Sequence, residues 1–278
     1  MMWPKAPYRW VENGREHISV AFTFDLPVLR EELQTRSLFY GKPIVGGPAV
    51  KLMPEYLADV AEIGGEYPGI LHRMNPLATR TTIGCPNHCG FCAVPQLEPD
   101  FQELSEWPVA PIVCDNNLLA ASRAHFDRVI DSLKGLEDVD FNQGLDARLL
   151  TDHHADRMRE LNCLVRLAWD DTRTEHAFLR AFSRLRRAGI PRARIQAYVL
   201  IGYNDMPEDA LYRLETCWYA LGILPNPMRY VPLDSLTRHY TGPGWTHKEL
   251  TAMQRYWSNI TKLNGVRYEQ WRDKEAEG

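Results

Sequence analysis

The chain has 278 residues, 45% of them hydrophobic and 24% charged, with a formal net charge of −4 at pH 7. Those figures describe a globular protein able to bury a full core in one large domain or one and a half, and they lack the basic footprint of a dedicated nucleic-acid binder. No apolar stretch approaches the ~20 residues that span a bilayer, and the opening Met1-Met2-Trp3-Pro4-Lys5 lacks the basic-then-apolar pattern of a signal peptide, so the expected setting is the cytoplasm with no membrane partner.

Residues 1–78 predict a small α/β segment: a strand over 18–24, a helix over 28–33, a strand over 43–45 running into Gly46-Gly47-Pro48, and a helix over 53–62. From residue 79 short apolar runs alternate with amphipathic stretches, the pattern of βα units that build a parallel sheet. Six strands are predicted, over 79–84, 111–114, 139–143, 164–169, 195–201 and 228–231. Thr172-Arg173-Thr174-Glu175 reads as a capping box opening a helix that stops at Gly189-Ile190-Pro191. Asp205-Met206-Pro207-Glu208 opens another that ends near Gly222. Thr246-His247-Lys248-Glu249 opens a last helix, whose stripe of Leu250, Met253, Tyr256, Trp257 and Ile260 is expected to pack into the core. The expected division is 1–78, 79–240 and 241–278.

Directly after the first of the six strands stands Thr82-Ile83-Gly84-Cys85-Pro86-Asn87-His88-Cys89-Gly90-Phe91-Cys92. Three thiols spaced Cys-x-x-x-Cys-x-x-Cys leave a cubane iron–sulfur cluster one ligand short, whereas clusters that only carry electrons usually take four. An iron left open in this way can bind a small molecule. Gly84 and Gly90 let the backbone fold back around a metal, Pro86 stiffens the turn, and Phe91, Ala93 and Val94 can shield it from water. The same three cysteines with His88 or a distant fourth ligand would also make a structural zinc site. Zinc sites more often use two Cys-x-x-Cys pairs, and the sequence has no second pair.

The spacing, with an aromatic residue just before the last cysteine, resembles the radical S-adenosylmethionine (radical SAM) enzymes. The resemblance implies a partial (β/α)6 TIM-like barrel over 79–240, with the small α/β segment before it and a helical extension after it. It implies that Cys85, Cys89 and Cys92 hold a 4Fe-4S cluster, that the amino and carboxylate groups of SAM chelate the fourth iron, and that Phe91 lies against the adenine. A reduced cluster would cleave SAM to methionine and a 5'-deoxyadenosyl radical, which takes hydrogen from an inert position of the substrate. An external one-electron donor of flavodoxin or ferredoxin type is implied.

In parallel barrels the chemistry collects at the carboxyl ends of the strands. The second strand ends Cys114-Asp115-Asn116-Asn117, and the resemblance places the methionine ammonium of SAM on Asp115, Asn116 and Asn117. An Asx turn capping the next helix is the alternative, and Cys114 reads as a core cysteine beside that site. The third strand ends Asn142-Gln143-Gly144-Leu145-Asp146-Ala147-Arg148: Asn142, Gln143 and Asp146 suit ribose hydroxyls, and Arg148 suits either the SAM carboxylate or the surface. In the fourth, Arg166 and Trp169-Asp170-Asp171 suggest lumen-facing positions. In the fifth, Val199, Leu200 and Gly202 match the segment that grips the adenine. Arg229, Tyr230, Tyr240 and Trp245 mark the rim where substrate would enter.

Val45-Gly46-Gly47-Pro48-Ala49 looks like a piece of the cobalamin-binding domain that precedes the barrel in one radical SAM subfamily. The Asp-x-His-x-x-Gly segment that supplies the axial histidine is absent from the sequence, so cobalamin is not expected. The absence of a second cysteine set argues against an auxiliary cluster. A small-molecule or nucleotide-type substrate is the leading expectation. A nucleic-acid base is the second, with Arg180, Arg184, Arg186, Arg187, Arg192 and Arg194 as phosphate contacts, although such a run also makes an ordinary solvated helix face. A non-catalytic cluster or zinc module is the third. Cys163 and Cys217 read as small core hydrophobes.

Overall fold

The computed structural model describes residues 7–36, 41–65, 67, 69–263 and 265–277. The protein is an α/β protein of two compact units: residues 1–110 with 231–240, and residues 111–230 with 241–278. The boundary expected at residue 78 thus falls inside the first unit, and the carboxyl-terminal helices belong to the second. Among the described residues no helix is long and apolar enough to cross a membrane.

In the first unit β1 (Tyr8–Glu12) and β2 (Arg15–Ser19) form an antiparallel hairpin, and β3 (Ile44–Gly46) and β4 (Glu62–Ile63) add to β2 in parallel. The turn is Asn13-Gly14, both at positive φ, the pair that most often makes a two-residue hairpin because its twist matches that of the strands. The strand expected over 18–24 therefore lies earlier, and residues 23–25 form a 3-10 turn leading into α1 (Leu26–Arg36). After β3 comes α2 (Pro48–Leu52). Gly47, at φ +95°, makes that turn, since a Cβ there would sit 2.8 Å from the Val20 backbone. The helix expected over 53–62 is instead a 3-10 turn at Pro54–Tyr56 followed by hydrogen-bonded turns into β4, because Met53-Pro54 interrupts the helix before it can propagate. Leu57, Val60 and Ala61 still bury themselves with Ile18, Val20, Leu29 and Val45.

The rest of the unit comprises α3 (Ile70–Met74), β5 (Ala78–Thr79), β6 (Thr82–Ile83), α4 (Val94–Leu97) and β7 (Gln102–Glu103). The single strand expected over 79–84 is broken at Arg80-Thr81. Its second half, β6, pairs antiparallel with β7, Thr82 opposite Glu103 and Ile83 opposite Gln102. The cysteine segment is accordingly a loop closed by a short antiparallel ribbon rather than the continuation of a barrel strand.

The second unit alternates as expected: β8 (Ile112–Val113), α5 (Arg123–Leu133), β9 (Asp140–Asp146), α6 (Asp152–Arg159), β10 (Leu164–Trp169), α7 (Glu175–Arg187), β11 (Ile195–Ile201), α8 (Pro207–Glu215), β12 (Leu224–Arg229), α9 (His247–Trp257) and α10 (Tyr268–Glu277). Its strands are ordered β12-β11-β10-β9-β8 and all pair in parallel. Among the described residues no pairing closes them into a barrel. The strand predicted over 228–231 starts four residues earlier, at Leu224, and includes Pro225 and Pro227. Prolines two apart place both missing N–H groups on one side of the strand, which β12 tolerates because among the described residues it is an edge strand paired with β11.

Side chains alternate across this sheet. Val165, Leu167, Trp169, Ala197, Val199 and Ile201 are fully buried on one face, where Trp169 stacks on Phe178 of α7 with ring centres 4.4 Å apart. The other face carries the half-buried Asp140, Asn142, Arg166, Gln196, Tyr198 and Asn226. The α9 stripe of Leu250, Met253, Tyr256 and Trp257 is buried, and Thr246 and Glu249 close the expected capping box. At α7 the cap differs: Asp171 rather than Thr172 accepts from the Arg173 N–H, and a 3-10 turn precedes the helix.

Candidate metal centre and strand-end residues

The cysteine loop starts at Gly84, whose backbone is left-handed at φ +73°. A Cβ there would lie 2.3 Å from the Asp100 carbonyl oxygen, so the incoming and outgoing arms of the loop touch at a point that only glycine permits. The Gly84 N–H donates to Glu98 Oε2 at 2.9 Å, and the Arg80 guanidinium holds the same carboxylate by two bonds of 2.7 and 2.6 Å. Burial pushes the Glu98 carboxyl up, but Arg80 and the Gly84 N–H outweigh it and hold its pKa below the ordinary value. With the β6–β7 ribbon, this bidentate pair zips the base of the loop. Sequence reasoning did not pick out Arg80 and Glu98; their eighteen-residue separation carries no local signal.

Within the loop Cys85, Cys89 and Cys92 are half-buried, none is in a disulfide, and Phe91 is half-buried beside them. The Cys92 N–H donates to the Cys89 carbonyl at 3.0 Å and the Asn87 N–H points at Cys85 Sγ at 3.4 Å. Among the described residues no group of three or more His, Cys, Asp or Glu side chains is gathered closely enough to hold a metal ion. The donor set itself, three reduced thiols on one accessible eight-residue stretch, has the chemistry a three-thiolate cluster needs, and thiolate sites commonly gather as metal binds. His88, the nearest fourth ligand for zinc, is exposed.

The cysteine loop belongs to the first unit and the strand-end residues to the second. Asp115 and Asn117 follow β8 and are both 3% exposed, with Asn116 half-buried between them. They do not cap α5, whose cap is Ser122 accepting from the His125 N–H at 3.2 Å. Cys114 is buried, with Sγ 3.8 Å from the Ile112 carbonyl. Cys163 and Cys217 are buried core residues as expected, and burial pushes the Cys163 thiol up to about 12.

Midway along β9 the register against β10 shifts between Val165 and Leu167, and Gln143 is exposed in that bulge. Arg148 is exposed and clasped by Asp146, through Nε at 2.8 Å and Nη2 at 2.7 Å, so its guanidinium has a carboxylate within its own turn. On β11 Leu200 lies on the sheet face shared with Tyr198, while Val199 lies on the opposite face and is fully buried among Ala197 and Ile201. Val199 is thus a core residue in this structure. Trp169 likewise faces the helices rather than the polar side, and Trp245 is buried with Nε1 donating to the Asp205 carbonyl at 2.8 Å, which gives it a structural task instead of a place at a rim. On the polar face Arg166 bonds Asp140 at 2.8 Å and Asn142 at 2.7 Å, and Gln196 links it to Asn226.

Gly202, after β11, donates its N–H to Asp205 Oδ1 at 2.9 Å. The other oxygen of Asp205 meets Arg213, which is 0% exposed and also donates to the Trp169 carbonyl at 3.0 Å. Asp170, half-buried at the end of β10, shares this cation, and burial pushes its carboxyl up to about 6 despite Arg213, with Asp146 and Asp171 adding to the rise and Arg148 opposing it. A carboxyl whose folded pKa lies above its unfolded value favours the folded state when protonated. That contribution is complete below about pH 4 and is lost as pH rises through about 6. Asp170→Asn is therefore expected to gain stability relative to wild type between pH 4 and 7, by up to about 3 kcal/mol, measured as the pH dependence of urea midpoints for the two proteins. Parallel pH profiles would refute the assignment.

Four of the clustered arginines are engaged inside the chain: Arg184 with the Leu150 carbonyl, Arg186 with the Ile190 carbonyl, Arg187 with Asp152 and Arg192 with the Leu221 carbonyl. The fold and the thiol loop together describe an α/β protein with a parallel sheet and a closed three-cysteine loop. No protein-family model matches the sequence, and no curated protein matches it.

Proposed function

We propose that the protein is a radical SAM enzyme acting on a small-molecule or nucleotide-type substrate. The observation that carries the reading is the Cys85-x-x-x-Cys89-x-x-Cys92 loop, with Phe91 before its last thiol and its base zipped by the β6–β7 ribbon and the Arg80–Glu98–Gly84 contacts. Cys85, Cys89 and Cys92 are the residues that would hold a 4Fe-4S cluster, and a cluster with one open iron supplies the electron for reductive cleavage of bound S-adenosylmethionine. Phe91 supplies an apolar cover for the loop. Asp115 and Asn117, buried acceptors at a strand's carboxyl end, suit an ammonium group. Leu200 and Gly202 offer an apolar side chain and bare backbone at the end of β11. The Asp140–Arg166–Gln196–Asn226 network gives the polar sheet face hydrogen-bonding groups for substrate. The electron would come from an external flavodoxin- or ferredoxin-type donor.

The test is anaerobic reconstitution with iron and sulfide, followed by SAM and dithionite, assaying 5'-deoxyadenosine and methionine. The intact protein is expected to bind about four irons and to form deoxyadenosine, and Cys89→Ala to form none. A colourless protein with one zinc per chain and no SAM cleavage would overturn the proposal in favour of a structural zinc module.

A further inference from the structure

The first unit encloses a cavity of about 640 Å³ that borders the base of the cysteine loop. Small-molecule sites commonly measure about 300–1,000 Å³. Strands β2, β3 and β4 run parallel, and their carboxyl ends, Ser19, Gly46 and Gly64 with Gly65, form one wall. In open α/β sheets this is the edge at which ligands bind, because the strands end there with backbone groups left to be satisfied. Glycines occupy it: the Gly46 carbonyl accepts from the Val20 N–H and the Gly64 N–H donates to the Val45 carbonyl, while Gly65 carries the edge on without a side chain over it. A Cβ on Gly46 would lie 2.9 Å from the Gly65 carbonyl, while Gly65 itself faces open space.

A second wall is aromatic. Trp10 stacks on His17 with centres 5.1 Å apart, and Tyr67 meets Trp10 edge-on at 5.0 Å. Trp10 Nε1 is buried with no close hydrogen-bond partner, and the Glu12 carboxylate two residues along β1 is near enough for the indole to help hold its pKa down. The two cations in the lining are already engaged, Lys51 with the Leu97 carbonyl and Arg80 with Glu98. The cavity therefore presents aromatic surface, the open Gly65 backbone, the Trp10 indole N–H and the Glu98 and Glu106 carboxylates, with its lysine and arginine committed elsewhere.

We infer that this cavity is a binding site for an uncharged nucleoside, the base lying against the Trp10–His17–Tyr67 wall with a carbonyl or ring nitrogen accepting from Trp10 Nε1, and the ribose hydroxyls meeting the glycine edge. A phosphate gains nothing there, since the lining cations are occupied. The cavity shares Arg80, Ile83, Leu97 and Glu98 with the base of the cysteine loop, but nucleoside binding does not require the cluster.

The experiment is isothermal titration of the full chain in a Cys89→Ala background with adenosine, guanosine, cytidine, uridine and AMP. At least one nucleoside is expected to bind more tightly than about 1 mM, with AMP no tighter than adenosine. Gly65→Leu fills open space without straining the backbone, and is expected to weaken binding at least tenfold while leaving the melting temperature unchanged. Trp10→Phe keeps the ring and removes the donor, and is expected to weaken binding roughly three- to tenfold, the worth of one hydrogen bond. Absence of binding by all four nucleosides, tighter binding of AMP, or binding indifferent to both substitutions would overturn the inference. If Gly65→Leu fails to fold, Trp10→Phe decides.

Discussion

Arg213→Ala is expected to lower the stability of the second unit by about 3–5 kcal/mol, the usual cost of removing one partner from a buried ion pair. Arg213 has no exposed surface, and its guanidinium is shared among Asp205, the Trp169 carbonyl and the Asp209 carbonyl, with Asp170 nearby. Its removal leaves Asp205 and Asp170 buried without a cation. Burial already raises both carboxyls while Arg213 holds them down, so both would move further up and take protons at neutral pH. The damage reaches the loop after β11, because Asp205 also receives the Gly202 N–H and the Trp245 indole. Urea unfolding of the single variant, and of Arg213→Met combined with Asp205→Asn, checks this. The double variant is expected to recover part of the loss, since it removes one of the two stranded carboxylates. A loss below about 1 kcal/mol in the single variant would mean that water reaches the site and that the pair behaves as an exposed one.

Gly84→Ala is expected to abolish iron incorporation while leaving the second unit folded. An L-residue at φ +73° costs about 1–2 kcal/mol by itself. The larger effect is steric: the new Cβ would stand 2.3 Å from the Asp100 carbonyl oxygen, and backbone cannot yield there without parting β6 from β7. The Gly84 N–H would then leave Glu98, and the loop carrying Cys85, Cys89 and Cys92 would lose its closed base. Glu98→Gln is the milder companion. It keeps the shape but removes the anionic charge and replaces one accepting oxygen by an NH2 that cannot accept, so the bidentate grip of Arg80 is lost, and it is expected to reduce incorporated iron without eliminating it. Iron and sulfide content after anaerobic reconstitution, with circular dichroism as the control for folding, separates these outcomes. Full incorporation in Gly84→Ala would show that the loop needs no closed base.

Which parts of this protein were legible in its sequence follows from the range over which each signal acts. Alternating apolar runs and helix caps are local, so the strands β8 to β11, the helices between them and the α9 stripe could be read directly, as could the thiol loop, whose meaning lies in eleven consecutive residues. Asn13-Gly14 was equally local, and its hairpin was there to be read. Long-range pairings had no such signal. The break at Arg80-Thr81 depends on β7, twenty residues on, and on Glu98. Whether Val199 or Leu200 faces the polar side depends on which face the helices cover, because strand periodicity assigns neighbours to opposite faces without naming either. Trp245 read as a rim aromatic until Asp205, forty residues earlier, took its indole N–H. The cavity in the first unit is the clearest case: its glycines and aromatics lie scattered between Trp10 and Pro108, and only the parallel stacking of β2, β3 and β4 brings them around one space. Sequence alone determined the three-thiol spacing and the alternation of strand and helix, since both are written in neighbouring residues; tertiary structure decided what closes the loop, what neutralises the buried charges and what the glycine edge encloses, since each depends on groups that meet only when the chain folds.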